Sequence, residues 1–316
     1  MSMTPGRVSS ASDRSHRAGI LCALTSSLGA GLATVVGKWN LEAVSPLLLS
    51  CMIFTTSTVV LSVGYLPFRG LGRVFRLTRR GWFWMIMFTI SSWVAILSFW
   101  AGVQRMDPSL AAFLNRAEVP IAILLGIIFL KERFTSRETL GALLSIAGIV
   151  IMKLTLRFEY STGFWLVLLG SLFFGITEFI SKIAVRHVEP IALVYVRGLF
   201  LAVAYWAVLL GGGHSLEGLD RVWVGIIALG ILGPIVSRMM YLLALKRLEL
   251  SRVAVISQSQ PIFVIVTALL VLGQLPTLRE MTGGLFVLAG CVLMIGVGRK
   301  NGIMARISQL GSGQRQ

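Results

Sequence analysis

Of 316 residues, 56% are hydrophobic and only 13% are charged, against about 25% charged in ordinary globular chains. With a mean hydropathy of +0.84, the chain holds more apolar surface than a soluble core can bury, so a soluble domain is excluded and lipid must cover much of it. The formal charge of +16 invites a nucleic-acid reading, but no basic face with interleaved aromatics exists, and the basic residues gather between apolar stretches.

Residues 1–17 read as a polar, flexible N-tail carrying Arg7, Arg14 and Arg17. No small-residue cleavage site follows a short apolar core, which predicts an uncleaved first helix. Ten apolar spans follow, at 18–38, 46–67, 82–104, 108–130, 137–155, 162–183, 190–211, 221–245, 250–273 and 279–298. Each is roughly the 20 residues that cross a ~30 Å hydrocarbon layer as a helix. Continuous apolarity without strict alternation predicts helices and not a barrel. The expected fold is an all-α membrane protein of ten transmembrane helices, with a polar C-tail at 299–316.

Orientation follows from the loops. With the N-terminus inside, the inner segments hold the tail arginines, Arg69, Arg73, Arg76, Arg79, Arg80, Lys131, Arg133, Arg137, Lys182, Arg186, Lys246, Arg247, Arg252, Arg299, Lys300, Arg306 and Arg315. The outer segments hold Lys38, Arg105, Lys153, Arg157, Arg221 and Arg279. This bias predicts a multi-pass plasma-membrane protein (the inner membrane of a bacterium) with both termini cytoplasmic.

The chain repeats itself. At an offset of 142, residues 129–152 match 271–294 at 10 of 24 positions, where unrelated apolar segments would agree at roughly two or three. Matches include Thr135/Thr277, Arg137/Arg279, Glu138/Glu280, Gly141/Gly283, Gly148/Gly290 and Met152/Met294. Upstream, Lys38 and Pro46 recur as Lys182 and Pro190. The repeats are therefore 18–155 and 162–298, five helices each. Five is odd, so the second repeat enters from the opposite face and the halves are inverted. That architecture belongs to many secondary transporters, whose halves close alternately around a midplane site.

Small residues suit a bundle: Ala23, Ser27 and Gly31 share a face, as do Gly141 and Gly148, and Gly283 and Gly290. Packing within the chain is the economical reading, and a homodimer seam the alternative. Trp82, Trp84, Trp165 and Trp223 stand at span ends, where an interface accounts for them. Cys22, Cys51 and Cys291 lie inside spans with no metal or disulfide spacing, and read as packing residues. Neither a metal nor another cofactor is expected.

Charge inside a span is costly and marks a partner or an internal site. In the 108–130 span, Glu118 stands about 15 Å along the helix from Pro108, near the midplane. Asn115 shares its face, Arg116 is expected to point elsewhere, and Pro120 just beyond permits a kink. The repeat partner reads Ser257-Gln258-Ser259-Gln260-Pro261, polar but uncharged. Thus Pro261 echoes Pro120, and Gln258 and Gln260 join the candidate site. Glu178 and Lys182, four apart, are placed to pair on one helix face. Arg197 and Arg238 occupy later spans; Arg197 and Lys182 are close enough to an end to snorkel, which makes Lys182 a structural residue. Four bases (Arg116, Lys182, Arg197, Arg238) against Glu118 and Glu178 give 4 − 2 = +2, which favours an anionic or zwitterionic solute. Glu118 is also the candidate for a coupling proton.

The run ending Leu130-Lys131-Glu132, then Thr135, Gly141 and Ala147-Gly148, resembles the EamA-type transporters of the drug/metabolite transporter superfamily. The family pattern has an acidic residue in the loop after helix four, here Glu132, followed by a Gly-rich helix. Val271–Met294 is similar, except that Gln274 replaces the acidic residue. Pro46 and Pro190 resemble the family's prolines near the starts of helices two and seven. Arg197 resembles an Arg common on the following turns, where the first half has Ile53. The resemblance implies helices one to four and six to nine around a central cavity, helices five and ten outside it, and export or exchange of small metabolites. By itself, Glu132 reads as a residue that organises the hinge and not as a ligand.

Rival classes are weaker. A membrane enzyme needs paired acids, a His cluster or a nucleophile with its base. His16, His187, His214, Asp13, Asp107 and Asp220 all lie outside the spans, so no catalytic residue is assigned. A flippase for a lipid or lipid-linked sugar is the nearer rival, and needs a lateral opening. No Gly-x4-Gly-Lys-Ser/Thr loop is present, which points to gradients and not ATP as the driving force.

Overall fold

Proline opens three of the helices, where its missing N–H belongs to a group that would be unpaired anyway. In chain order the helices are α1 (Gly6–Asn40), α2 (Pro46–Arg69), α3 (Arg79–Gln104), α4 (Pro108–Asn115), α5 (Glu118–Leu130) and α6 (Ser136–Thr155). There follow α7 (Ser161–Ala184), α8 (Pro190–Gly211), α9 (Leu219–Gly230), a π-helical segment (Ile231–Ser237), α10 (Arg238–Arg247), α11 (Gln260–Leu272) and α12 (Leu278–Ile295). The computed structural model describes residues 6–69, 77–130, 136–155, 161–213, 215–248, 253 and 256–295. Among these every regular element is helical.

The packing maps onto itself when the halves are exchanged. Helix α3 packs along α7, and correspondingly α1 packs along α9, the π segment and α10. Helix α5 lies on α7 as α11 lies on α1, while α2 meets its own counterpart α8, and α6 meets α12. The α6–α12 seam is where the glycine stripes go. A side chain on Gly148 would run into the Gly283 carbonyl, and one on Gly290 into Ser145 and the Gly141 carbonyl. These stripes pack on each other within one chain, so backbone meets backbone there.

Among the described residues, six helical stretches are long and apolar enough to cross a membrane: Arg17–Asn40, Pro46–Gly64, Arg79–Gln104, Thr162–Ala184, Pro190–Gly211 and Leu219–Arg247. Their outward faces carry the apolar side chains, Val63, Phe83, Val203 and Leu210 among them, each more than half exposed. That surface is costly in water and comfortable in lipid.

Four expectations need correction. Helix α1 starts at Gly6, inside the segment read as a flexible tail. The 108–130 span is two helices, α4 and α5, separated at Arg116 and Ala117. The 221–245 span is interrupted by a π turn around Pro234, whose ring blocks the ordinary four-residue hydrogen bond. The 250–273 stretch is broken at Gln258 and Ser259, between the helical residues Ile256 and Ser257 and the start of α11 at Gln260. The hinge residues Lys131 to Thr135, with Glu132, lie outside the described residues.

Candidate functional site

The two breaks, in the first and second halves, have one cause. Pro120 cannot donate to the Arg116 carbonyl four residues back, and its ring crowds that oxygen. The chain tightens there into three-residue steps: Arg116 N donates to Phe113 O, Ala117 N to Leu114 O and Val119 N to Arg116 O, each at 3.1 Å. The kink thus falls before Glu118 and not beyond it. In the second half Pro261 does the same, with Ser259 N donating to Ile256 O at 3.0 Å and Ile262 N to Ser259 O at 3.1 Å. The carbonyl that Pro261 leaves without a helical donor is that of Ser257. Arg116 Nη1 donates to that oxygen at 3.1 Å. The side chain from one break therefore satisfies the backbone of the other.

Arg116 is buried, with 2% of its surface exposed. Its Nη2 donates to Gln260 Oε1 at 2.8 Å and pairs with Glu118 Oε1 at 3.0 Å. Arg116 was expected to point away from Glu118 because an unbroken helix would splay residues two apart. The break removes that constraint. Asn115 Nδ2 donates to Glu118 Oε2 at 3.3 Å, and Ser171 Oγ of α7 reaches Asn115 Oδ1 at 3.3 Å.

Helix α7 presents Ser171, Gly175 and Glu178 along one face, at spacings of four and three. A methyl on Gly175 would fall 2.8 Å from the Glu118 carbonyl oxygen. The bare glycine is what lets α5 begin against α7. Glu178 then pairs with Arg238 Nη1 of α10, not with Lys182 as the i, i+4 spacing suggested. Lys182 stands half-buried in the last turn of α7. Tyr241, one turn beyond Arg238, lies with its ring under that guanidinium. Arg116–Glu118 and Arg238–Glu178 are thus two ion pairs, and α7, which carries Glu178, is the helix on which α5 lies.

Arg197 of α8 does not snorkel: only 5% of it is exposed. Its guanidinium lies over Phe88 at 5.0 Å and Phe54 at 5.8 Å, with Nη1 3.4 Å from Ser92 Oγ. Arg238 stacks on the same Phe88, at 5.1 Å, and on Tyr241 at 5.3 Å. Gln258 is buried, 6% exposed, and neither of its side-chain polar atoms has a partner among the described residues. Pro120 is in the first turn of α5 and Pro261 in that of α11, where each starts a helix after breaking one. No group of three or more potential metal ligands occurs among the described residues.

Phe88, Ser92, Ser171 and Tyr241 belong to this constellation and were not singled out from the sequence. Ser171 could have been found from Glu178, since it lies seven residues earlier on the same face. Ser91-Ser92, a polar pair amid the 82–104 span, was a second visible signal.

The EamA-like transporter family matches twice, over residues 17–154 and 161–296. The chain belongs to the EamA-like transporter family. The family lies within the drug/metabolite transporter superfamily, and its members are multi-pass membrane proteins. An uncharacterized transporter of Synechocystis sp. is 22% identical over 69% of this chain, a stretch spanning 66% of that protein's own length. An uncharacterized transporter of Archaeoglobus fulgidus is 24% identical over 84% of this chain and 94% of its own length. A shorter match, 36% identical over 81 residues, is to an uncharacterized transporter of Acidianus ambivalens. In fold, the chain superposes on one crystal structure with a TM-score of 0.66 at 19% identity, covering 91% of this chain and 99% of the other.

Proposed function

We propose that this EamA-like protein is a secondary transporter that moves a small anionic or zwitterionic metabolite across the plasma membrane by alternating access. In this reading it has ten membrane spans in two inverted five-helix repeats, with both termini cytoplasmic, and works as a gradient-driven exporter or exchanger without a cofactor. The observation that carries the reading is Arg116, which joins the broken helix of one half to that of the other beside Glu118. A charged contact between halves, at breaks whose hydrogen bonds can be exchanged, suits a pair of halves that rock about a shared site.

Glu118 is the residue we assign to coupling. It is a carboxylate held by a cation and an amide from its own broken turn, and a proton arriving there would weaken the Arg116 ion pair that joins the halves. The test is counterflow in proteoliposomes loaded with carboxylates, amino acids or organic cations, under an imposed pH gradient. Exchange of carboxylates or amino acids is expected, with pH-driven uptake abolished in Glu118→Gln while membrane insertion is kept. Exchange of cations alone would overturn the solute assignment, and undiminished proton-driven uptake in Glu118→Gln would overturn the coupling role.

A further inference from the structure

The two glutamates of the constellation are both engaged, and the three arginines are not equally so. Glu118 is held by Arg116 and Asn115, and Glu178 by Arg238. Counting these five gives 3 − 2 = +1, and the surplus falls on Arg197. Among the described residues Arg197 has no carboxylate within ion-pair distance, and its Nε makes no hydrogen bond. What it has is two aromatic faces and one hydroxyl at 3.4 Å. A guanidinium taken out of water needs more than that, since burial removes the hydration that a carboxylate or several acceptors must replace.

Among the described residues, unmet donors gather around it. Arg238 shares Phe88 with Arg197, and its Nε and Nη2 are buried without partners. On α2, Ser57 Oγ and Thr58 Oγ1 are likewise buried and unpartnered. Thr58 is one turn beyond Phe54, and its Oγ1 lies against Gly198, the residue after Arg197; a methyl on Gly198 would sit 3.2 Å from it. Trp93 Nε1, the indole donor of the Trp93–Tyr205 contact, is also buried without a partner. The locus is rich in donors set around Phe54 and Phe88, and its nearest carboxylate, Glu178, is already paired with Arg238 and so is not free for an ammonium group.

We propose that Arg197, with Arg238 beside it across Phe88, holds the carboxylate of an organic monocarboxylate whose apolar body lies against Phe54 and Phe88. This rests on the transporter reading and narrows it: the solute carries a negative group and needs no positive one. Anionic oxygens accept from the guanidinium edges and from the Ser57 and Thr58 hydroxyls, which are the groups left unmet.

Binding tests this apart from transport. Thermal unfolding of the detergent-purified protein is followed with benzoate, with benzamide as its neutral isostere and with phenylalanine as a zwitterion, because a ligand of the folded state raises the midpoint. Benzoate is expected to raise it in a saturable way, with benzamide and phenylalanine weaker. In Arg197→Gln the benzoate concentration for half the effect should rise at least about tenfold, the least expected for loss of a charge-assisted hydrogen bond. Arg197→Lys, which keeps the charge without the planar fork, should fall between. An equal shift from benzamide, a larger one from phenylalanine, no shift from benzoate, or full retention in a folded Arg197→Gln protein would each overturn the subsite. If Arg197→Gln does not fold, the ranking of the three probes on the unsubstituted protein still decides. Any of these failures leaves the transport reading to the counterflow experiment.

Discussion

The two proline-broken turns, Phe113–Ile121 and Ile256–Phe263, are the same device with different contents. Both tighten into three-residue steps before a proline, and both restart as an apolar helix. At an offset of 141, Arg116 corresponds to Ser257 and Glu118 to Ser259. The first turn brings a charged pair; the second brings backbone and amide acceptors. In the second, Ser259 Oγ turns back on the Ile256 carbonyl at 2.7 Å, a local bond that reaches nothing in the other half. The charge that crosses comes from the first turn, and the second meets it with the Ser257 carbonyl and the Gln260 amide. The backbone break follows from proline geometry, while what the break does depends on side chains that the halves do not share.

Removing the crossing residue should have the largest effect. Arg116→Leu leaves Glu118 buried without its cation and strips a donor each from the Ser257 carbonyl and Gln260. Loss of one partner of a buried pair costs about 3–5 kcal/mol, because the remaining charge stays desolvated. The double variant Arg116→Leu with Glu118→Leu removes both charges and should recover most of that, since replacing a buried pair by apolar groups is often close to neutral. Unfolding in mild detergent, run as a double-mutant cycle, measures the difference. If the double variant were as unstable as the single, the cost would lie in the Ser257 and Gln260 contacts and not in the ion pair.

That pairing also marks how far the sequence could be read. The helical class and the repeat were legible because hydrophobic length, Lys38/Lys182, Pro46/Pro190 and the glycine stripes are all local patterns. The polar residues of the breaks were legible too, since a charge within an apolar span stands out. Their partners were not. Glu178 had a plausible mate in Lys182 on its own helix, but α10 brings Arg238 to it from sixty residues away. Arg116 was assigned a direction on the premise of a continuous helix, and Pro120 breaks that helix at the Arg116 carbonyl. Helix-face arguments fail at the positions where the helix itself gives way. Such irregular turns, satisfied by partners from other helices, are the tolerated form of broken backbone inside a membrane.

A middle-sized effect is expected on the neutral side of the comparison. Gln260→Leu removes one acceptor from Arg116 and leaves the Ser257 carbonyl and Glu118 in place. A hydrogen bond to a charged group contributes about 1.5–3 kcal/mol, so the loss should be clear yet smaller than for Arg116→Leu. Combined with Arg116→Leu it should add little, because the bond is already gone. Full additivity of the two, measured by the same unfolding assay, would mean that Gln260 acts on something other than Arg116.

The smallest effect separates the other repeat-related pair, Lys38 and Lys182. Lys38 Nζ donates to the Val103 and Gln104 carbonyls at 3.0 and 2.9 Å, closing the C-terminal end of α3. Those oxygens belong to the last turn of a helix, which has no amides of its own to offer them. A lysine there also opposes the negative end of the helix dipole. Lys182 holds the corresponding place in the last turn of α7 and stands half-buried, with no such capping bond among the described residues. Lys38→Met keeps the apolar stem and deletes the two bonds. It should cost about 1 kcal/mol, the usual net worth of a partly exposed hydrogen-bonded cap. Lys182→Met should change stability by less than about 0.5 kcal/mol, as for surface positions without specific partners. Hydrogen exchange at the end of α3 gives a second readout, since Lys38→Met should raise exchange of amides there while Lys182→Met leaves them protected. Equal destabilisation by the two substitutions would mean that the matched lysines act alike, through the charge they bring to the membrane edge and not through the helix that only one of them caps.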